Sequence, residues 1–299
     1  MRKLSNTTLG ITYIVISAFF FALMAVFVRL AGNVFFVQKV FFRNAVALPI
    51  ALAGILIDLK KQGRQSVAIP KGAVIFLLLR SFIGSIGIFG NFYAVDHLVL
   101  SDAAILNKMA PFFTIIFSFL LLKEKIKPIP LVAIIVAFLG SMLIVKPSFD
   151  FTKTLPSLVG FVGGMGAGFA YTCVRKLSYL KCNAKIIVLV FSLTSMLLSV
   201  PYMIVSFNPM TMSQFLFLCG SGVCAALAQF SITAAYFHAP ARDISIYDYS
   251  QIIFSTLMGL VFFGQLPDIL SFTGYMIIIS MAAVNFFYNK RIQEKKSDE

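Results

Sequence analysis

The chain has no tryptophan, two histidines, four cysteines and only 11 acidic residues among its 299. Charged residues total 12%, against about 25% in soluble domains, which excludes a water-exposed globule. Cys173, Cys219 and Cys224 fall inside apolar stretches and Cys182 in a loop, with no Cys-x-x-C or Cys/His spacing. That distribution argues against a zinc or redox centre, and no cofactor is expected. Gly163-Gly164-Met165-Gly166 has no Gly-Lys-Ser/Thr after it, which excludes a phosphate loop and direct use of ATP. Without tryptophan, tyrosine is left as the main interfacial anchor.

What fills the chain is apolar sequence: 60% hydrophobic residues and a mean hydropathy of +0.94. The runs are unbroken, unlike the ~10-residue alternating segments of a membrane barrel. They predict ten helices, near 9–31, 34–57, 72–94, 100–122, 128–146, 156–176, 184–205, 212–237, 243–263 and 268–288. Each is long enough for a ~30 Å hydrocarbon core, so the expected class is an all-α integral membrane protein. The first run has no small-residue cleavage site and reads as a retained helix. The stretch 293–299 reads as a disordered polar tail.

The net charge of +14 is topological, not a nucleic-acid footprint. Lysine and arginine crowd every second boundary, as at Lys60, Lys61, Arg64 and Lys71 or Arg175, Lys176, Lys181 and Lys185. The alternate boundaries hold only Lys146 and Lys153. This bias orients both termini to the cytoplasm, and the expected location is the cell (plasma or inner) membrane. Residues 1–148 and 149–299 then form two five-helix units entering the bilayer from opposite sides, joined through Lys146–Pro156.

Letters repeat as well as hydropathy. Phe27-Val28-Arg29-Leu30 ends helix 1 and Cys173-Val174-Arg175-Lys176-Leu177 ends helix 6. Pro111–Glu124 aligns with Ile252–Gln265, which sets Asn107-Lys108 opposite Asp248-Tyr249. Inverted repeats of this kind characterise alternating-access carriers. With Ala18-Phe19-Phe20-Phe21 through Arg29, Phe41-Phe42-Arg43-Asn44, Pro111-Phe112-Phe113 to Lys123-Glu124-Lys125, Gly140, and Gly160 through Tyr171 to Arg175, the chain resembles the EamA family of the drug/metabolite transporter superfamily along nearly its whole length. The resemblance implies two inverted five-helix repeats and a central cavity lined chiefly by helices 1, 3, 4, 6, 8 and 9. Where the family usually has proline and glutamate, this chain has Ile252 and Gln265; without that proline a matching kink in helix 9 is not expected.

An ionisable side chain at membrane depth costs roughly 2.5–3.5 kcal/mol or more and needs a reason. Arg29, Lys39, Arg43, Arg80 and Lys108 qualify, against the single acid Asp248. Lys39 and Arg43 share a helix face, where Lys39 reads as snorkelling to the interface and Arg43 as either a brace or a substrate contact. Lys108, beside Asn107 and one turn before Pro111, adjoins backbone freed by the proline and is a candidate substrate ligand. Asp248, between Tyr247 and Tyr249, is the candidate proton or cation site. At 1.5 Å per residue Lys108 and Asp248 come out about 13 Å apart in depth, which argues against a direct pair. Arg80 lies beside Gly84, Gly87 and Gly90; Gly160, Gly164 and Gly168 form a packing ridge. Asn91, Tyr93, Tyr171, Gln229, Tyr236 and Tyr249 are further candidate ligands.

The expected function is a secondary-active carrier of a small polar metabolite, anionic or zwitterionic, such as an amino acid or nucleotide-related compound. It would be driven by a proton gradient or by exchange, with the lipid bilayer as its other partner. His97 and Asp102 have an acyltransferase-like spacing, which makes a membrane-embedded enzyme one alternative; a channel is the other.

Overall fold

The computed structural model describes residues 5–98, 100–146 and 154–297, and all regular structure among them is helical. The helices are α1 (Asn6–Leu30), α2 (Phe36–Gln62), α3 (Ala73–His97), α4 (Leu100–Asn107), α5 (Ala110–Leu122), α6 (Pro128–Val145), α7 (Thr154–Tyr179), α8 (Ala184–Val205), α9 (Met212–His238), α10 (Ala241–Ile244), α11 (Ser250–Phe263) and α12 (Ile269–Ser297). They supply ten segments long and apolar enough to span a bilayer, the fourth made of α4 and α5 and the ninth of α10 and α11. In lipid every backbone group must be satisfied within its own segment, which is why these runs become helices. Polar side chains close the ends: Ser5 caps α1, Asn183 caps α8, and Thr211 with Gln214 forms a reciprocal capping box on α9.

Most expected boundaries hold within about three residues; α2 runs five residues further than expected, to Gln62, and two other extensions matter. Helix α3 runs to His97, a turn beyond expectation, and brings Asp96 into the structured span. Helix α12 continues to Ser297, through most of the stretch expected to be a disordered tail; its Lys, Arg, Gln and Glu residues are good helix formers extending an existing nucleus. The linker residues 147–153 lie outside the described residues.

Two spans are broken. The fourth opens between Asn107 and Ala110, because Pro111 in the first turn of α5 has no N–H to give the Asn107 carbonyl. The ninth is broken too, against the expectation drawn from Ile252: residues Ser245–Tyr249 form a 3₁₀ stretch. The Ser250 N–H reaches the Asp248 and Tyr247 carbonyls there, and side chains add to it. Ser250 Oγ donates to the Tyr247 carbonyl at 2.6 Å and Lys108 Nζ to the Asp248 carbonyl at 3.2 Å. In the register pairing Asn107 with Asp248, the helices that follow the two breaks, α5 and α11, begin within a residue of one another. The left-handed caps Lys123 (φ 55°) and Gly264 (φ 64°) also match in that register.

The most extensive helix interfaces are α1 with α9, α3 with α7, α2 with α8 and α6 with α12. In span numbers these are 1–8, 3–6, 2–7 and 5–10, a set unchanged when each span is exchanged with the one five places along. Glycine makes the α3–α7 contact possible: a Cβ on Gly87 would sit 3.0 Å from the Ala167 nitrogen, and one on Gly90 2.8 Å from the Val159 carbonyl. On its other side α7 presses against the break in span 4, where a Cβ on Gly164 would lie 2.3 Å from the Leu106 carbonyl. The glycine run of α7 is therefore a packing surface.

Candidate functional site

The broken spans meet at the middle of the bundle beside a cavity of about 100 Å³. Its polar wall holds Arg43, Arg80, Asn91, Asn107, Tyr171, Gln229, Asp248 and Gln251; its apolar lining includes Phe21, Met24, Phe92 and Phe191. The contributing elements include α2 and α8 beside those the family resemblance implied. A larger groove of about 520 Å³, lined by residues such as Phe36, Phe89, Leu158 and Leu198, is apolar and faces outward, with Leu158 57% exposed. A surface of that kind suits lipid, not a polar solute.

Two guanidinium groups dominate the cavity. Arg80 is 2% exposed, lies over the Phe191 ring at 3.9 Å, and donates from Nη2 to Gln229 Oε1 at 2.9 Å. Gly84 makes room for it: a Cβ there would lie 2.3 Å from Arg80 Nη1. Arg43 is 5% exposed, with Phe21 at 5.8 Å. Neither arginine forms an ion pair with a described carboxylate.

The other expected bases have partners. Lys108 Nζ reaches Asp248 Oδ2 at 2.8 Å, Gln251 Oε1 at 2.7 Å and the Asp248 carbonyl at 3.2 Å, one acceptor for each of its three donors. Tyr249 Oη donates back to the Lys108 carbonyl at 3.2 Å. This corrects the 13 Å separation expected from depth. A 3₁₀ stretch rises about 2 Å per residue, so it carries Asp248 roughly 2 Å further into the bundle than a regular helix would, and the length of the lysine side chain closes more of the gap. Lys39 pairs with Asp96 at 3.5 Å. Asp96 was missed because α3 was expected to end before it; Gln251, one turn after Asp248, was equally readable and overlooked.

Of the expected ligands, Arg43, Arg80, Asn91, Asn107, Tyr171, Gln229 and Asp248 are brought together around the cavity. Lys39, Tyr93, Lys108, Tyr236 and Tyr249 do not line it. Tyr93 stacks on His97 at 4.0 Å beside the apolar groove. Tyr236, 2% exposed, stacks on Tyr171 at 5.4 Å, and Tyr249 is fully buried. His97 Nδ1 lies 2.9 Å from the Tyr93 carbonyl; the Asp102 side chain lies outside the described residues, so the acyltransferase pairing gains no support.

Each end of the bundle carries an arginine latch between the chain's halves. At the end where α1 begins, Arg175 Nε meets Glu124 Oε1 at 3.1 Å. Its Nη1 reaches the Tyr236 carbonyl at 2.9 Å, and Tyr179 Oη donates to the same carboxylate at 2.6 Å. At the opposite end Arg29 Nη1 donates to Gln265 Oε1 at 3.2 Å, over the Phe263 ring at 4.2 Å.

Residues 8–146 match the EamA-like transporter family. A pseudopaline exporter of Pseudomonas aeruginosa is 30% identical over 272 residues, covering 90% of this chain and 93% of its own length. The chain belongs to the EamA-like transporter family. An uncharacterised transporter of Helicobacter pylori is 27% identical over 92% of this chain and 93% of its own. Human solute carrier family 35 member G1 is 32% identical over 50% of this chain and 40% of its own. A crystal structure at 15% identity superposes with TM-score 0.81, covering 95% of this chain and 98% of that one, and shares the fold. This EamA-like protein is a multi-pass membrane protein whose relatives are named as transporters.

Proposed function

We propose that the protein is a secondary-active carrier, not an enzyme, for a small anionic or zwitterionic organic metabolite such as an amino acid or nucleotide-related compound. The supporting observation is the polar-walled cavity at the junction of two broken spans, with two arginines in its wall that ion-pair with no described carboxylate. Residues 1–148 and 149–299 act as inverted repeats rocking about that cavity, as the exchange-symmetric helix pairing suggests. Lysine and arginine placement supports cytoplasmic termini, and the membrane is read as the plasma membrane. Arg43, Arg80, Asn91, Asn107, Tyr171 and Gln229 bind the cargo. The Pseudomonas relative is named as an exporter, which is consistent with a carrier.

Energy enters through the Lys108–Asp248 pair. A proton on Asp248 removes the charge holding Lys108 and loosens the contact between the two breaks; an exchanged cargo anion could draw Lys108 away instead. Reconstituted in liposomes, the wild type should show saturable uptake that Arg43→Ala abolishes; undiminished uptake in that variant would refute the charge argument. Asp248→Asn should lose proton-driven accumulation while retaining exchange, and accumulation that ignores the proton gradient in the wild type would remove the coupling role.

A further inference from the structure

We infer that the cavity is built for a cargo with two carboxylates, one for each of Arg43 and Arg80. This rests on the carrier reading and narrows its anionic-or-zwitterionic class. The ionic groups nearest the cavity are Arg43, Arg80, Asp248 and, just behind Asp248, Lys108. Lys108 and Asp248 cancel, and all three lysine donors are taken. The cavity, only about 100 Å³, therefore keeps two uncompensated positive charges in its wall. Desolvated like charges at short range repel strongly, because little water screens them.

The protein supports each guanidinium without neutralising it. Phe191 of α8 covers one and Phe21 of α1 flanks the other, an arrangement that steadies a cation and leaves its donor edge open. Arg80 Nε is buried with no partner, and only Nη2 is committed, to Gln229. A carboxylate fits a guanidinium edge bidentately. A zwitterion cancels neither surplus charge in net terms, and a monocarboxylate cancels one. A short dicarboxylate cancels both, with the carboxamides of Asn91, Asn107 and Gln229 left for hydroxyl or amino substituents. Because the arginines sit on separate helices behind separate rings, two spaced anionic groups match them better than one phosphoryl group.

The test is equilibrium binding and counterflow with the full chain in nanodiscs and liposomes, using pairs that differ by one charge. These are succinate against succinamate, glutarate against its monoamide and L-glutamate against L-glutamine, with glycerol 3-phosphate as a single-phosphoryl dianion. In at least one pair the dicarboxylate should bind at least about tenfold tighter, the scale of one charge-assisted contact. Arg43→Gln and Arg80→Gln should each erase that preference, and the lysine replacements should keep most of it. Equal binding within every pair, preference for the phosphate ester, or no binding of any dicarboxylate would overturn the proposal. Saturable, Arg43-dependent flux of a monoanion would do so while leaving the carrier reading intact. The wild-type pairs decide even if a variant fails to fold.

Discussion

The latches at the two ends of the bundle occupy matching places in the chain's two halves, yet they differ in strength. Glu124 and Gln265 stand at equivalent positions just after the left-handed caps of α5 and α11, and Arg29 and Arg175 each end the opening helix of a half. Where the acid is present, its arginine is buried, ion-paired and bonded to a carbonyl, and a tyrosine supports the carboxylate. Where an amide replaces it, the arginine is exposed and keeps one neutral partner besides a phenylalanine ring. The buried Arg175 is matched by a carboxylate, whereas the exposed Arg29 does without one, because water meets the difference. One end of the bundle is thus held by an ion pair and the other by an amide.

The largest effect that would break this comparison is expected from Glu124→Ala. Both side chains of the pair are about nine-tenths buried, so removing one leaves an isolated charge, a loss of about 3–5 kcal/mol. Gln265→Ala should cost under about 1 kcal/mol, since its partner is solvated. Thermal unfolding of both variants in one detergent checks this; equal shifts would mean the two latches do not differ as described.

The same contrast separates what was legible in the sequence from what was not. Hydropathy placed ten spans because lipid leaves the backbone no alternative to helix, and the cost of buried charge marked Arg43 and Arg80 correctly as residues needing a reason. The Lys108–Asp248 pair was missed because depth arithmetic assumes a regular rise, and both residues lie at breaks. The second break was missed because a proline was taken as its necessary cause. Asp248 and Tyr249, which exchange contacts with Lys108, show another: side chains from the opposite break can take over a helix's carbonyls. Tyr236 and Tyr249 have the polarity of ligands, but only three-dimensional packing shows that they fill the core instead.

A smaller effect sharpens the comparison at the caps themselves. Lys123 holds φ 55° where Gly264 holds φ 64°. A side chain in the left-handed region costs about 1–2 kcal/mol, and glycine avoids that cost. Lys123→Gly should therefore stabilise the fold by about 1 kcal/mol and Gly264→Ala destabilise it by a similar amount, measurable as opposite shifts in melting temperature. Smaller again is Gln265→Glu, which creates an exposed ion pair with Arg29. It should add about 0.2–1 kcal/mol at low salt and lose that gain in high salt. A salt-independent gain would show that the second latch is more buried than its surroundings indicate.

The least costly contact to remove lies at the same end as the amide latch, where Lys146 closes α6 and its ammonium meets Asp268 ahead of α12. Its hydrogen bond, aided by the Ser271 N–H and hydroxyl, pulls the Asp268 carboxyl down to about 2. A carboxyl depressed in the folded state stabilises above its unfolded pKa, ~3.9, and loses that contribution as pH falls through the folded value. Lys146→Gln should thus lower the melting temperature slightly at pH 7, and the gap to wild type should close between about pH 4 and 2. Both partners are about half exposed, so the effect should also fade with salt. A gap that widens with acid would mean that Lys146 acts through the left-handed cap of α6 and not through its charge.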